Sequence, residues 1–221
     1  MTGSIVGRLI AKDLYVYRWL IIVTLLSGLA SMFMSGQGGA TGNIGQILFV
    51  TTIVVLGVFL AIYGLISERY SRSLMFALSL PISPLQYTAA KVAASVIAFL
   101  IPWGIITATL VGLTVALDTP AHGTLPYTLA MMGLFLANFC FLMALGLITG
   151  SESWAIAGII ATNTSVPVFL GTVLPSLGGD RNGPVPVWSP AILTTLGIEA
   201  AVVVLSLGLT FYVQSRRKDF V

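Results

Sequence analysis

Six long apolar runs, broken by short polar stretches, dominate the pattern of the chain. They cover approximately Trp19 to Met34, Ile44 to Ile66, Val92 to Leu117, Tyr127 to Ile148, Trp154 to Leu174 and Ala191 to Tyr212. Each approaches the roughly 20 residues that a helix needs to cross a hydrocarbon core about 30 Å thick. The connections are too short to hold a soluble domain. The expected fold is therefore an all-α polytopic membrane protein, with residues 1–221 forming one domain of six transmembrane helices.

The segment before the first run has a different pattern. On a helical wheel, Val6, Leu9, Ile10, Leu14 and Tyr17 fall on one side of Ser4 to Arg18, and Ser4, Arg8 and Lys12 on the other. This predicts an amphipathic interface helix over residues 1–18, lying on the inner leaflet with Arg8 and Lys12 toward lipid phosphates. Asp13 breaks the pattern by projecting into the apolar face. A carboxylate there needs a cation or water, and Arg69 and Arg72 are the expected partners, with a solvated Asp13 as the alternative.

A second interruption, Ser67 to Lys91, separates the second and third runs. Ser73 is placed to cap a helix of about two turns, Leu74 to Ser79, whose Leu74, Met75, Phe76 and Leu78 are too apolar for free solvent. Pro81 stops it. Ser83, Pro84 and Gln86 then form a capping-box pattern, with proline at the first helical position. A helix from there to Leu117 is about 50 Å long at 1.5 Å per residue, so it is expected to protrude roughly 15 Å beyond the hydrocarbon core. The apolar short helix must bury its face on the chain's own helices, on lipid, or on another protein.

Composition and charge add orientation. The chain is 57% hydrophobic and 8% charged, with a mean hydropathy of +1.02, far from the roughly 25% charged residues of soluble domains. Arg8, Lys12 and Arg18 precede the first run, Arg69, Arg72 and Lys91 lie between the second and third, and Arg216, Arg217 and Lys218 follow the sixth. Only Arg181 falls on the opposite side. Basic residues are retained in the cytoplasm, so a multi-pass protein of the cell membrane with both termini cytoplasmic is expected. The net charge of +3 reports that topology, not a nucleic-acid partner. Tyr17, Trp19, Tyr127, Trp154, Trp188 and Tyr212 fit interfacial aromatic belts, but Trp103, beside Pro102 in mid-run, does not. Cys140 is the single cysteine and says nothing of redox compartment.

Chemistry-bearing residues are few. No G-x-x-x-x-G-K-[ST] string occurs, so no phosphate-cradling loop is expected in this chain. No H-E-x-x-H occurs either, and His122, the only histidine, lies in a loop; neither catalytic residues nor a metal site are expected. Glu199 is the sharpest local feature, about 12 Å along the sixth run. Such a residue faces a cavity or a bundle interior, and Asn138, Asn163 and Thr194 are its expected hydrogen-bond partners. Glu199, Asn138 and Asn163 are accordingly the candidates for a substrate pathway or a dimer seam. The cluster "ATNTSVP", Ala161 to Pro167, reads as a proline kink whose hydroxyls satisfy freed carbonyls, or as a substrate contact. Residues 175–190 are too turn-rich to span and are expected to form an irregular outer loop.

The order Glu68-Arg69, a short leucine-rich helix, Leu80-Pro81-Ile82-Ser83 and then Lys91 resembles permeases of the type-2 ATP-binding-cassette (ABC) exporters. "AKDLYVYR", Ala11 to Arg18, is similar to the same family's interface helix. The resemblance implies that residues 67–91 hold a cytoplasmic coupling helix, with Arg72, Ser73, Leu74, Met75, Phe76 and Leu78 docking an ATPase. Arg72-Ser73 departs from the Gly-Thr of many members. The resemblance also implies an ABC ATPase dimer carrying ATP and Mg, a second permease chain in a homo- or heterodimer, an amphiphilic cargo moved outward, and a prokaryotic source. No cofactor is then bound by this chain, which is not itself an enzyme. The alternatives are a substrate-capture membrane subunit of a vitamin-type importer, which the long 67–91 insertion disfavours, and a membrane scaffold or sensor.

Overall fold

The computed structural model describes residues 2–62, 84–116, 122–179, 181 and 183–216. Six helices account for most of them: α1 (Thr2–Ser35), α2 (Gly39–Ala61), α3 (Pro84–Ala116), α4 (Leu125–Thr149), α5 (Glu152–Val168) and α6 (Pro190–Arg216). All six are long and apolar enough to span a membrane, α5 together with its extension to Ser176. The chain is a six-helix, multi-pass membrane protein.

The separate interface helix expected over residues 1–18 is not separate. α1 runs from Thr2 to Ser35 without a break, because nothing between Gly7 and Gly28 lacks a side chain or an N–H and so nothing ends the helix. Its amphipathic pattern survives within the longer element: Asp13 and Tyr17 are buried while Arg8, Lys12 and Arg18 are exposed. α3 is described from Pro84 and is helical over 33 residues to Ala116. At 1.5 Å per residue both α1 and α3 are about 50 Å long, well beyond a core of about 30 Å.

Two parallel helix pairs organise the bundle. In the first, Asp13 meets Lys91, and a Cβ at Gly28 would lie 2.6 Å from Ile106 Cδ1. The two contacts are separated by equal lengths of α1 and α3, about 22 Å at 1.5 Å per residue, so the helices run side by side in one direction and in register. In the second pair, Gly133 of α4 meets Glu199 of α6, and Gln214 Nε2 donates to the Leu147 carbonyl at 3.0 Å. Here too the separation is nearly equal on both helices, which makes α4 and α6 parallel.

α2 joins the pairs. It leaves α1 through a turn in which Gly38 and Gly39 have φ of 71° and 57°, a region that favours glycine. A Cβ at Gly45 would sit 2.8 Å from the Ser31 carbonyl oxygen, so the absent side chain lets the two backbones touch. In a bilayer, where apolar burial drives little helix association, such close approach is a main source of packing energy. Between the pairs lies a core of Ile53, Leu56, Leu60, Phe99, Met132 and Met143. The rings of Phe99 and Phe139 stack there at 4.2 Å and 3°. Outward-facing Trp19, Ile22, Val23, Leu26 and Phe33 leave one face of α1 apolar and uncovered, as a lipid-facing helix requires.

The connection from α5 to α6 is irregular, as the prolines predict. Pro167 lies in the last turn of α5, and a π-type turn follows over Phe169–Val173. Arg181 Nη2 donates to the Leu174 carbonyl at 2.6 Å, and its guanidinium lies 4.6 Å from the Tyr127 ring centroid. A cation on the orphan carbonyls at a helix end is favourable, which explains the one basic residue on this side of the pattern. Tyr127 also donates to the Gly178 carbonyl, and Ser189 both donates to the Leu177 carbonyl and accepts from the Ile192 N–H at the start of α6.

Candidate functional site

Buried charge in an apolar bundle marks the places where chemistry is concentrated. Two buried carboxylates stand out, one on each parallel pair. Asp13 is 4% exposed, and its Oδ2 lies 2.7 Å from Lys91 Nζ. Arg69 and Arg72, its expected partners, lie outside the described residues; the partner found is Lys91. The reason is helical register: Lys91 falls on the face of α3 that the parallel packing turns toward Asp13. Lys91 is itself 5% exposed and lies 5.9 Å from the Tyr87 ring centroid. An ion pair so enclosed gains strength from the low local dielectric, and breaking it by removing one member is costly.

Glu199 is 7% exposed, and neither carboxylate oxygen has a hydrogen-bond partner among the described residues. Its three expected partners are all engaged elsewhere. Asn138 Nδ2 donates to Ser165 Oγ at 2.9 Å, which in turn donates to Asn138 Oδ1 at 3.2 Å. Asn163 Nδ2 donates to the Ile159 carbonyl of its own helix at 2.9 Å, and Thr194 Oγ1 to the Pro190 carbonyl at 2.7 Å. The three candidate pathway residues are therefore not one cluster. Asn138 belongs to the α4–α5 contact and to a cleft of about 20 Å³ beside Phe99 and Phe139. Asn163 lines an open cavity of about 380 Å³ against Val54, Val58 and Phe59 of α2. Asn138 and Gly133, five residues apart, point about 140° away from each other around α4.

The surroundings of Glu199 are built by residues that the sequence marks weakly. Gly133 leaves the space its carboxylate fills; a Cβ there would collide with Glu199 Oε2. Beside it opens a cavity of about 310 Å³ between α3, α4 and α6, walled by Trp103, Met132, Leu196, Val203 and Trp188. Trp103, out of place in an interfacial belt, is held by its Nε1–H, which donates to the Met132 carbonyl at 2.9 Å. That bond ties α3 to α4 at the level of the cavity and fixes one aromatic wall. The only sequence signal for this wall is the mid-run position of Trp103.

The hydroxyls of "ATNTSVP" act locally. Thr162, Thr164 and Ser165 each donate to a carbonyl three or four residues back, so the cluster supports the helix around Pro167. Arg72, Ser73, Leu74, Met75, Phe76 and Leu78, named from the resemblance as docking residues, lie outside the described residues. Arg8 and Lys12 are exposed on the first turns of α1, and Arg18 lies 3.8 Å over the Tyr15 ring centroid. Compared with protein-family models, curated proteins and solved structures, the chain matches none.

Proposed function

We propose that the chain is the membrane-spanning permease subunit of an ATP-driven exporter of the ABC type, moving an amphiphilic cargo outward by alternating access. Both termini are then cytoplasmic, ATP and Mg belong to a partner ATPase dimer, and two permease chains assemble in the cell membrane. The sequence of residues 67–91 supports this reading through its charged start, short leucine-rich helix, proline stop and re-entry at Pro84.

One structural observation carries it further. α3 takes up the end of that segment from Pro84 and is about 50 Å long, and the Lys91–Asp13 pair at 2.7 Å fastens its N-terminal part to α1. A push delivered before Pro84 would enter α3 outside the hydrocarbon core and reach α1 through the ion pair. Mechanical input from an ATPase needs such a rigid, projecting lever.

The test is affinity purification of the full chain from its native membranes, with the co-purifying proteins identified by mass spectrometry. An ATPase with a phosphate-binding loop and an ABC signature is expected with the wild type, and its loss is expected on Phe76→Asp. Absence of any such ATPase from the wild-type preparation would refute the exporter reading.

A further inference from the structure

Glu199 presents an unusual balance. Its carboxylate is buried in the bundle with no partner among the described residues, beside a cavity of about 310 Å³ whose walls are otherwise apolar and aromatic. Small-molecule sites occupy about 300–1,000 Å³ and combine apolar walls with very few polar groups. A lone carboxylate in such a wall selects for positive charge, because a cation brought beside it restores the interaction that burial removed. Aromatic faces add to that selection, since indole attracts an ammonium through its quadrupole. Trp103 is locked by its bond to Met132, so its ring is held in place before any ligand arrives. Gly133 completes the arrangement by leaving room for the carboxylate at the α4 wall.

We propose that the cavity between α3, α4 and α6 binds a lipophilic amine, with its ammonium on Glu199 and its apolar body against Trp103, Trp188 and Val203. An anionic amphiphile would be repelled by the carboxylate, and a neutral one would leave it unpaired. The proposal deepens the exporter reading by naming the chemical class of its cargo, yet it rests on the cavity and needs no ATPase. Binding can therefore fail while ATPase docking succeeds, and the reverse.

The test uses the full chain in phosphatidylcholine nanodiscs with two matched probes, N,N-dimethyl-4-phenylbutylamine and 4-phenylbutanol, which share an apolar body and differ in the charge of the head. Binding is read from tryptophan fluorescence against empty nanodiscs. The wild type is expected to prefer the amine by roughly tenfold, the scale of one well-placed interaction. Glu199→Gln is expected to abolish that preference while leaving the alcohol's affinity unchanged, and Trp188→Leu to weaken both probes. A second measurement needs no variant: dicyclohexylcarbodiimide adds across its C=N bond to a buried carboxyl and stays attached whole, so labelling of Glu199 is read by mass. The amine, not the alcohol, is expected to slow that labelling about tenfold. Equal wild-type affinity for the two probes, a preference that survives Glu199→Gln, or labelling unaffected by the amine would overturn the proposal. A second copy of the chain seated over the cavity would show as labelling that depends on oligomeric state and not on amine, the same negative result.

Discussion

The two parallel helix pairs solve one problem in opposite ways. Asp13 and Glu199 are both carboxylates buried between neighbouring helices, 4% and 7% exposed. Between α1 and α3 the charge is closed off by Lys91 at 2.7 Å. Between α4 and α6 it stands beside Gly133 and a cavity, with no partner among the described residues. A closed pair resists separation of its helices, whereas a buried carboxylate without a partner costs stability. The contrast sets a closed ion pair against a carboxylate without a partner among the described residues, within one bundle.

The largest expected effect is on the closed pair. Asp13→Ala is expected to destabilise the protein by about 3–5 kcal/mol, because it removes the carboxylate that faces the buried Lys91 ammonium. Thermal unfolding in a single detergent measures this, and exchanging the two charges, Asp13→Lys with Lys91→Asp, is expected to recover most of the loss. A swap that recovers nothing would mean that the pair is incidental.

A smaller effect is expected at the glycine under the open carboxylate. Gly133→Ala drives a methyl group into Glu199 and is expected to destabilise by about 1–3 kcal/mol, the range for overpacking. In a Glu199→Ala background the same change is expected to be milder by at least about 1 kcal/mol, since residues in contact couple. Additive effects would place the carboxylate elsewhere. The two asparagines give the finest distinction. Asn138 bridges α4 to α5 through Ser165, and its replacement by alanine is expected to lower stability by about 1 kcal/mol. Among the described residues Asn163 bonds only within its own helix, and it is exposed, so Asn163→Ala is expected to stay within about 0.5 kcal/mol of the wild type.

How much of this was legible depends on range. The six spans were legible because apolar length is a local property. Asp13 and Glu199 announced themselves as charges in apolar surroundings. Their environments did not, since Lys91 and Gly133 come from helices distant in sequence and only the parallel registers bring them near. Trp103 carried a partial signal, a tryptophan away from either interface, whose meaning needed the Met132 carbonyl opposite it. The continuity of α1 was obscured by its changing amphipathicity, a pattern that reports what surrounds a helix and not where the helix ends.

The difference between the closed and the open carboxylate is tested most directly by the unfolding midpoint of Glu199→Met, which keeps the length of the side chain and removes its charge. Replacing an unpartnered buried polar group by an apolar one of similar shape is neutral or stabilising, so a midpoint equal to or above that of the wild type is predicted. A fall as large as that caused by Asp13→Ala would contradict the account, because it would require Glu199 to be held by a partner as Asp13 is held by Lys91.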